Sequence, residues 1–354
     1  AWVTRRWFPN GEGSGIPQAI AARKLWGARK RGELVSLRLG VGKFFLTLGG
    51  LLIGASIGRE GPTVQVGASV MFALGRLSPR MQPGLILAGA SAGVAAAFNT
   101  PLAGVIFGIE EMSRSFDERT NGLVIGTIVA AGIVSVALLG NYTYFGVTAA
   151  TLGSPTGWLA VPVCGLVGGL LGGCFSVTLV KVAAGLPGRV GAAIGRRRVL
   201  FALACGIMVA ICGLLSGGTV FGTGYPQVKA LMIHGIPLPW AFAPLKFAAT
   251  TLSSIAGIPG GLFSPSLAVG GGIGYDVARF FPGTPVDAIV LLGMVGYFSG
   301  VVQAPITAFV IVAEMTADNG MIVPLMASSL IAMAASRLVC PEGVYQILSG
   351  NYLK

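Results

Sequence analysis

Three short glycine-rich motifs hold the residues best suited to chemistry: Gly13-Ser14-Gly15-Ile16-Pro17, Gly58-Arg59-Glu60-Gly61-Pro62 and Gly261-Leu262-Phe263-Ser264-Pro265. Each runs into an apolar segment, with proline where a helix would begin. Proline is welcome in a helix's first turn, and glycine lets backbone approach a ligand. A helix N-terminus carries unsatisfied N–H groups and about half a positive charge. Several converging N-termini would hold an anion with no full positive charge beside it. That suits an anion that must be released, since a bare lysine or arginine would bind it too tightly. One such motif alone reads as a packing corner; three, with internal duplication, point to an anion site. Glu60 stands at one of these N-termini, where negative charge is favoured. An anion wants the same place, so carboxylate and anion should compete, and protonation should free the position. Taken alone, Glu60 would be a capping carboxylate.

The elements that must position these residues are membrane elements. Of 354 residues, 54% are hydrophobic and 10% charged, with a mean hydropathy of +0.81. Soluble domains carry about 25% charge. Twelve acids and twenty-four bases cannot cover a globule of 36.0 kDa. A soluble enzyme and a disordered chain are excluded, and a polytopic membrane protein is expected. The 56 glycines agree, because small residues let membrane helices approach closely. The net charge of +12 does not indicate nucleic acid: the bases sit mostly in short loops, where they fix orientation. Arg23, Lys24, Arg29, Lys30 and Arg31, and then Arg189, Arg196, Arg197 and Arg198, mark the cytoplasmic side.

Residues 35–57, 122–140, 157–186, 199–216 and 321–339 are each long enough to cross a bilayer of about 30 Å. Between them lie shorter apolar pieces, 62–77, 84–99, 101–113, 243–256, 264–280, 287–299 and 304–315. Broken helices are tolerated in a membrane only where their ends line a protein cavity. That favours a transporter or channel over an anchor.

The chain repeats itself. Gly13-Ser14-Gly15-Ile16-Pro17-Gln18 returns as Gly222-Thr223-Gly224-Tyr225-Pro226-Gln227. The glycine–proline–glycine spacing of Gly58, Pro62 and Gly67 returns in Gly261, Pro265 and Gly270. Pro101 with Glu110 returns as Pro305 with Glu314. The halves are expected to span about 13–145 and 165–345, with a substrate site at their interface. Two apolar segments precede Gly222, but only twelve residues precede Gly13. At least one N-terminal helix is therefore expected upstream of Ala1.

These motifs resemble the three signature motifs of the CLC family of chloride channels and proton/chloride antiporters, in its prokaryotic form without cytoplasmic regulatory domains. Tyr345, in Gly343-Val344-Tyr345-Gln346, matches the family's fourth element, so the resemblance covers essentially the whole chain. It implies a homodimer in which each subunit has its own pore, built from two inverted halves. It further implies that Ser14 and Tyr345 donate hydroxyls to a central chloride, completed by the amides of Leu262 and Phe263. Gly13 would belong to an inner site, and Glu60 with the amides around it, including Gly61, to an outer one. Hydroxyls are neutral donors, suited to rapid release. Ser14 alone would read as a helix cap, and Tyr345 alone as an interfacial anchor.

By the same resemblance Glu60 is the gating glutamate, and Ile109-Glu110-Glu111-Met112 carries the inner proton-transfer glutamate at Glu111. Without the resemblance, Glu110 and Glu111 would mark a helix end at the cytoplasmic surface. Glu110 and Glu314, as repeat mates, read as structural. Three positions depart from the common family pattern: Gln18 for glutamate, Ser264 for alanine and Leu262 for isoleucine. None removes a donor from the central site, and Ser14 favours chloride over nitrate or fluoride.

Gly89-Ala90-Ser91-Ala92-Gly93 fits a hydrolase nucleophile pattern, which needs a strand–turn–helix context and a histidine partner. The region reads as a membrane helix, and His234 is the one histidine. Cys164, Cys174, Cys205, Cys212 and Cys340 form no metal-type spacing or disulfide framework. Gly165, Gly169 and Gly173, four apart, make a close-packing face, inside the subunit or at a dimer interface.

The expectation is an all-α polytopic membrane protein with two inverted repeats and re-entrant helices. Its function would be proton-coupled chloride antiport, with no enzyme activity and no cofactor. Chloride, protons, lipid and a second copy of the chain would be its partners, in a bacterial inner membrane. A passive chloride channel is the alternative on the same scaffold, and an intramembrane serine hydrolase the alternative from another class.

Overall fold

The computed structural model describes residues 1–113, 118–140, 142–148, 150–318 and 320–353. After α1 (Trp2–Trp7) the first motif turns into α2 (Ile16–Lys24). α3 (Ala28–Val35) and α4 (Leu37–Leu52) are separated at Ser36, whose hydroxyl caps α4. The second motif starts α5 (Glu60–Leu74), followed by α6 (Gln82–Phe98) and α7 (Pro101–Phe107). α7 widens into a π-helical turn, Gly108–Ser113, and α8 (Glu118–Leu139) follows. Next come α9 (Pro155–Trp158), α10 (Ala160–Ala184), α11 (Gly188–Arg196) and α12 (Arg198–Leu215). α13 (Tyr225–His234), α14 (Phe242–Ile255) and α15 (Phe263–Ala278) lead into α16 (Val286–Val302). α17 (Pro305–Thr316), α18 (Ile322–Arg337) and α19 (Val344–Gly350) close the chain.

The architecture is all-α. Among the described residues, Ala28–Leu52, Pro155–Ala184 and Arg198–Leu215 are long and apolar enough to cross a membrane; α8 has 22 residues, and the remaining helices are shorter, several of them bounded by glycine or proline. α16 is buried along nearly its whole length. It can be central because α15 meets it backbone to backbone: a Cβ on Gly270 would strike the Gly293 carbonyl, and one on Gly274 that of Ile289. α5 and α6 meet in the same way through Gly67 and Gly89.

The repeat mates recur in three dimensions. α6 ends at Asn99 and α16 at Gln303, both left-handed (φ 57° and 54°), and the next helix begins with a proline in each case. Glu110 accepts from the amides of Ile306 (3.0 Å) and Thr307 (2.6 Å) at the start of α17. Glu314 accepts from Leu102 (3.1 Å) and Ala103 (2.7 Å) at the start of α7. Each carboxylate thus caps a helix of the other half, which favours their structural reading.

One expectation changes, and one open alternative is decided. Arg31 is not a solvated loop cation; it is buried and donates to the Leu25 carbonyl and to Gln82 Oε1, both at 2.9 Å. The Gly165–Gly169–Gly173 face packs inside the subunit, against Ser328, Ala332 and Ser336 of α18.

Candidate functional site

The three motifs meet at their glycines. Gly13 N–H donates to Ile258 O (3.1 Å) and Gly260 N–H to Gly13 O (3.0 Å). A Cβ on Gly61 would stand 2.8 Å from Ser14 O, 2.9 Å from Ser14 Cβ and 3.1 Å from Gly261 Cα. All three motifs therefore touch Gly61, and only a residue with no side chain permits it. The convergence aims the N-termini of α2, α5 and α15 at one small volume.

Ser14 is buried, and its Oγ accepts from Ile16 N at 3.3 Å, which leaves its proton free to be donated elsewhere. Tyr345 is fully buried, so the interfacial-anchor alternative fails. Its hydroxyl lies beside Ser14, but among the described residues none forms a hydrogen bond of good geometry with it. A buried hydroxyl without a partner is costly, and a bound anion would remove that cost. Leu262 caps α15 and Phe263 opens it, in the first turn where N–H groups lack helical acceptors. The Phe263 ring packs against Phe98, Phe107, Phe298 and Tyr345 with centroids 4.8–6.1 Å apart. This apolar collar fixes the start of α15 and keeps the local dielectric low.

Two side chains, Lys43 and Gln18, hold the turn before Ser14 inside out. Lys43, fully buried on α4, bonds the carbonyls of Gly13 (2.6 Å), Gly11 (2.9 Å) and Glu12 (3.4 Å). Gln18 donates to the carbonyls of Glu12 (2.7 Å) and Asn10 (3.0 Å), as a carboxylate could not. Carbonyl oxygens drawn away from the site do not repel an anion held there. Lys246 repeats the device in the second half, on Gly222 O (2.7 Å) and Val220 O (2.8 Å). The signal in the sequence is the repeat spacing, since Lys43 and Lys246 are separated by the same offset as Gly58 and Gly261.

Glu60 is fully buried at the start of α5, yet its carboxylate serves another helix. Oε1 accepts from Ser264 Oγ at 2.5 Å, and Oε2 from Ser264 N at 3.4 Å, so the carboxylate lies across the N-terminus of α15. A Cβ on Gly58 would collide with Oε2, which accounts for glycine two residues earlier. Arg59 and Tyr144 stand beside it.

Glu111 is buried in the π-helical turn, and Gln346 donates to its carbonyl (2.7 Å) and its carboxylate (3.3 Å). Lys24 reaches Gln346 Oε1 at 3.5 Å, placing Glu111 on the side of the Arg23–Arg31 cluster. Tyr345 lies within electrostatic reach of both Glu111 and Glu60. A cavity of about 310 Å³ borders Gly13, Ser14 and Leu262 and carries Arg5 and Arg198 on its lining.

Ser91 is buried in the middle of α6, and its Oγ has no hydrogen-bond partner among the described residues. The strand–turn–helix context of a nucleophile is missing there.

Residues 1–337 match the family described as voltage gated chloride channel. The H(+)/Cl(-) exchange transporter ClcA of Yersinia pestis bv. Antiqua (strain Angola) is 30% identical over 374 residues, covering 99% of this chain and 75% of that protein. A slow cyanobacterial Cl-/H+ antiporter superposes with a TM-score of 0.80 at 25% identity, covering 99% of this chain and 84% of the other. A CLC-type fluoride/proton antiporter shares the fold, with a TM-score of 0.81 at 21% identity over 98% of this chain and 84% of that one.

Proposed function

We propose that this chain, which belongs to the voltage-gated chloride channel (CLC) family and is an integral membrane protein, exchanges chloride for protons across the membrane. The observation that carries the reading is the position of the Glu60 carboxylate on the first turn of α15. A carboxylate held there blocks an anion from the same amides. Protonation removes its charge and its claim on the helix N-terminus, and chloride takes the place. Ser14, Tyr345 and the amides of Leu262 and Phe263 form the next anion position inward, with Gly13 beyond it. Gly61 contributes the close approach that brings the motifs together.

Glu111 hands protons to the inner side. Its burial and its link through Gln346 to Lys24 support a proton route that leaves the chloride route on the inner half of the protein. The working form is a homodimer with one pore per subunit, in a bacterial cell membrane. Exposed apolar residues such as Phe44, Phe45, Leu52 and Leu203 on α4 and α12 are suited to lipid. The test is reconstitution in liposomes with an imposed chloride gradient and a pH record. Uphill proton movement is expected; chloride flux without it would replace the exchanger with a passive channel.

A further inference from the structure

We propose that the Ser264 hydroxyl is a latch on Glu60, setting the pH at which the outer path opens. The inference rests on the exchanger reading and adds the residue that tunes its gate. An ionised carboxylate only accepts, so in the Ser264–Glu60 bond the hydroxyl is the donor. At 2.5 Å this bond is much shorter than the 3.4 Å contact from Ser264 N, and it lies in the range of charge-assisted O–H···O⁻ bonds. The hydroxyl therefore adds a charge-assisted bond to the backbone contact. Two carboxylate oxygens tethered to α5 use the hydroxyl and the N–H together, whereas a single spherical anion must share itself between them. Alanine at this position would leave the long backbone contact alone.

The latch is itself positioned. The Tyr144 hydroxyl, on the connection after α8, lies against both Ser264 and Arg59, and Tyr225 anchors that connection by donating to Tyr144 O at 2.6 Å. The charged and titratable groups facing Glu60 are Arg59, Tyr144 and, from α19, Tyr345. Of those on the other packed helices, Lys43 of α4 is engaged with the Gly11–Gly13 carbonyls, Arg38 of α4 with Trp7 O, Arg31 of α3 with Gln82, Arg23 of α2 with Met112 O, Lys24 of α2 with Gln346, Lys246 of α14 with Gly222 O and Asp276 of α15 with Arg279, while Arg29 and Lys30 of α3 are exposed. The hydroxyl bond favours the ionised, closed gate over the protonated one, so losing it should let the path open at higher pH.

The experiment is chloride and proton flux from liposomes across a pH series for wild type, Ser264→Ala, Ser264→Thr and Tyr144→Phe. Ser264→Ala should move the half-maximal pH of chloride flux upward by about one unit and raise flux at neutral pH about tenfold, with protons still coupled. Ser264→Thr, which keeps the hydroxyl, should retain the wild-type profile, and Tyr144→Phe should shift it upward by less. In a Glu60→Gln background Ser264→Ala should produce no pH shift, because no carboxylate remains there to titrate. An unmoved profile in Ser264→Ala, an equal shift in Ser264→Thr, or a pH shift that persists without the Glu60 carboxylate would overturn the latch. If Ser264→Ala does not assemble, an unshifted Tyr144→Phe profile overturns it. Wild-type protein that moves no protons would defeat the exchanger reading instead, so the two failures are distinguishable.

Discussion

Gly58 and Gly261, repeat mates from the two halves, exchange both of their backbone hydrogen bonds: Gly58 N–H donates to Gly261 O at 2.8 Å, and Gly261 N–H donates to Gly58 O at 2.7 Å. The pair is an isolated antiparallel bridge in an otherwise helical protein. It lies between the helix that carries Glu60 and the helix whose N-terminus Glu60 occupies. The gate and its seat are thereby fixed to each other by backbone, independent of any side chain.

Gly61 should tolerate no side chain for the same reason. A Cβ there meets Ser14 and Gly261, and the obstacles include backbone atoms that are themselves bonded in place. Overpacking of this kind costs about 1–3 kcal/mol, and relief would require the motifs to separate. Gly61→Ala should weaken chloride binding by more than about tenfold in calorimetry. Normal affinity would mean that the three motifs need not converge for binding.

Lys43 and Lys246 make an internal comparison, since both hold carbonyls but only Lys43 supports the turn that bears Ser14. Each carbonyl left bare and buried costs about 1–3 kcal/mol, so both Lys43→Met and Lys246→Met should melt earlier in detergent. Lys43→Met should also lose chloride affinity severalfold, while Lys246→Met should keep it. Equal chloride affinities in the two variants would reduce Lys43 to a fold-stabilising residue.

The helix ends were legible in the sequence because glycine and proline mark them. The span anticipated over 35–57 ends earlier, α4 stopping at Leu52 before Gly54 turns left-handed at φ 86°. Long-range pairings were less visible. Glu60 was read at the start of its own helix, but its carboxylate bonds a serine 204 positions away. Arg31 was read as a loop charge, but it bonds Gln82. No local pattern reveals which helix a buried polar side chain will reach; the repeat offset could have revealed Lys43 and Lys246 as a pair.

Ser14 and Tyr345 offer single neutral hydroxyls, each worth about 0.5–1.5 kcal/mol net, and somewhat more to a charged partner. Ser14→Ala and Tyr345→Phe should each weaken chloride binding severalfold without abolishing it, because the first-turn amides of α15 remain. Unchanged calorimetric affinity in both would remove these hydroxyls from the anion site.

Glu111 separates the two ion routes. Valine at this position cannot carry a proton, but the Ser14–Tyr345 region is untouched. Glu111→Val should therefore abolish proton movement while chloride still crosses, recorded as simultaneous chloride and pH traces from liposomes. Full coupling in that variant would return Glu111 to a helix-end role.

The central claim is that one carboxylate gates chloride and carries the proton, and Glu60→Gln tests it most directly. Glutamine keeps the shape of the protonated side chain and cannot ionise, so it should not compete with chloride at the start of α15. The measurement is uphill proton pumping by Glu60→Gln in liposomes under a chloride gradient, beside chloride flux over a pH series. The account expects chloride flux with little pH dependence and no proton movement. Protons still driven against their gradient by Glu60→Gln would show that the shared gate lies elsewhere.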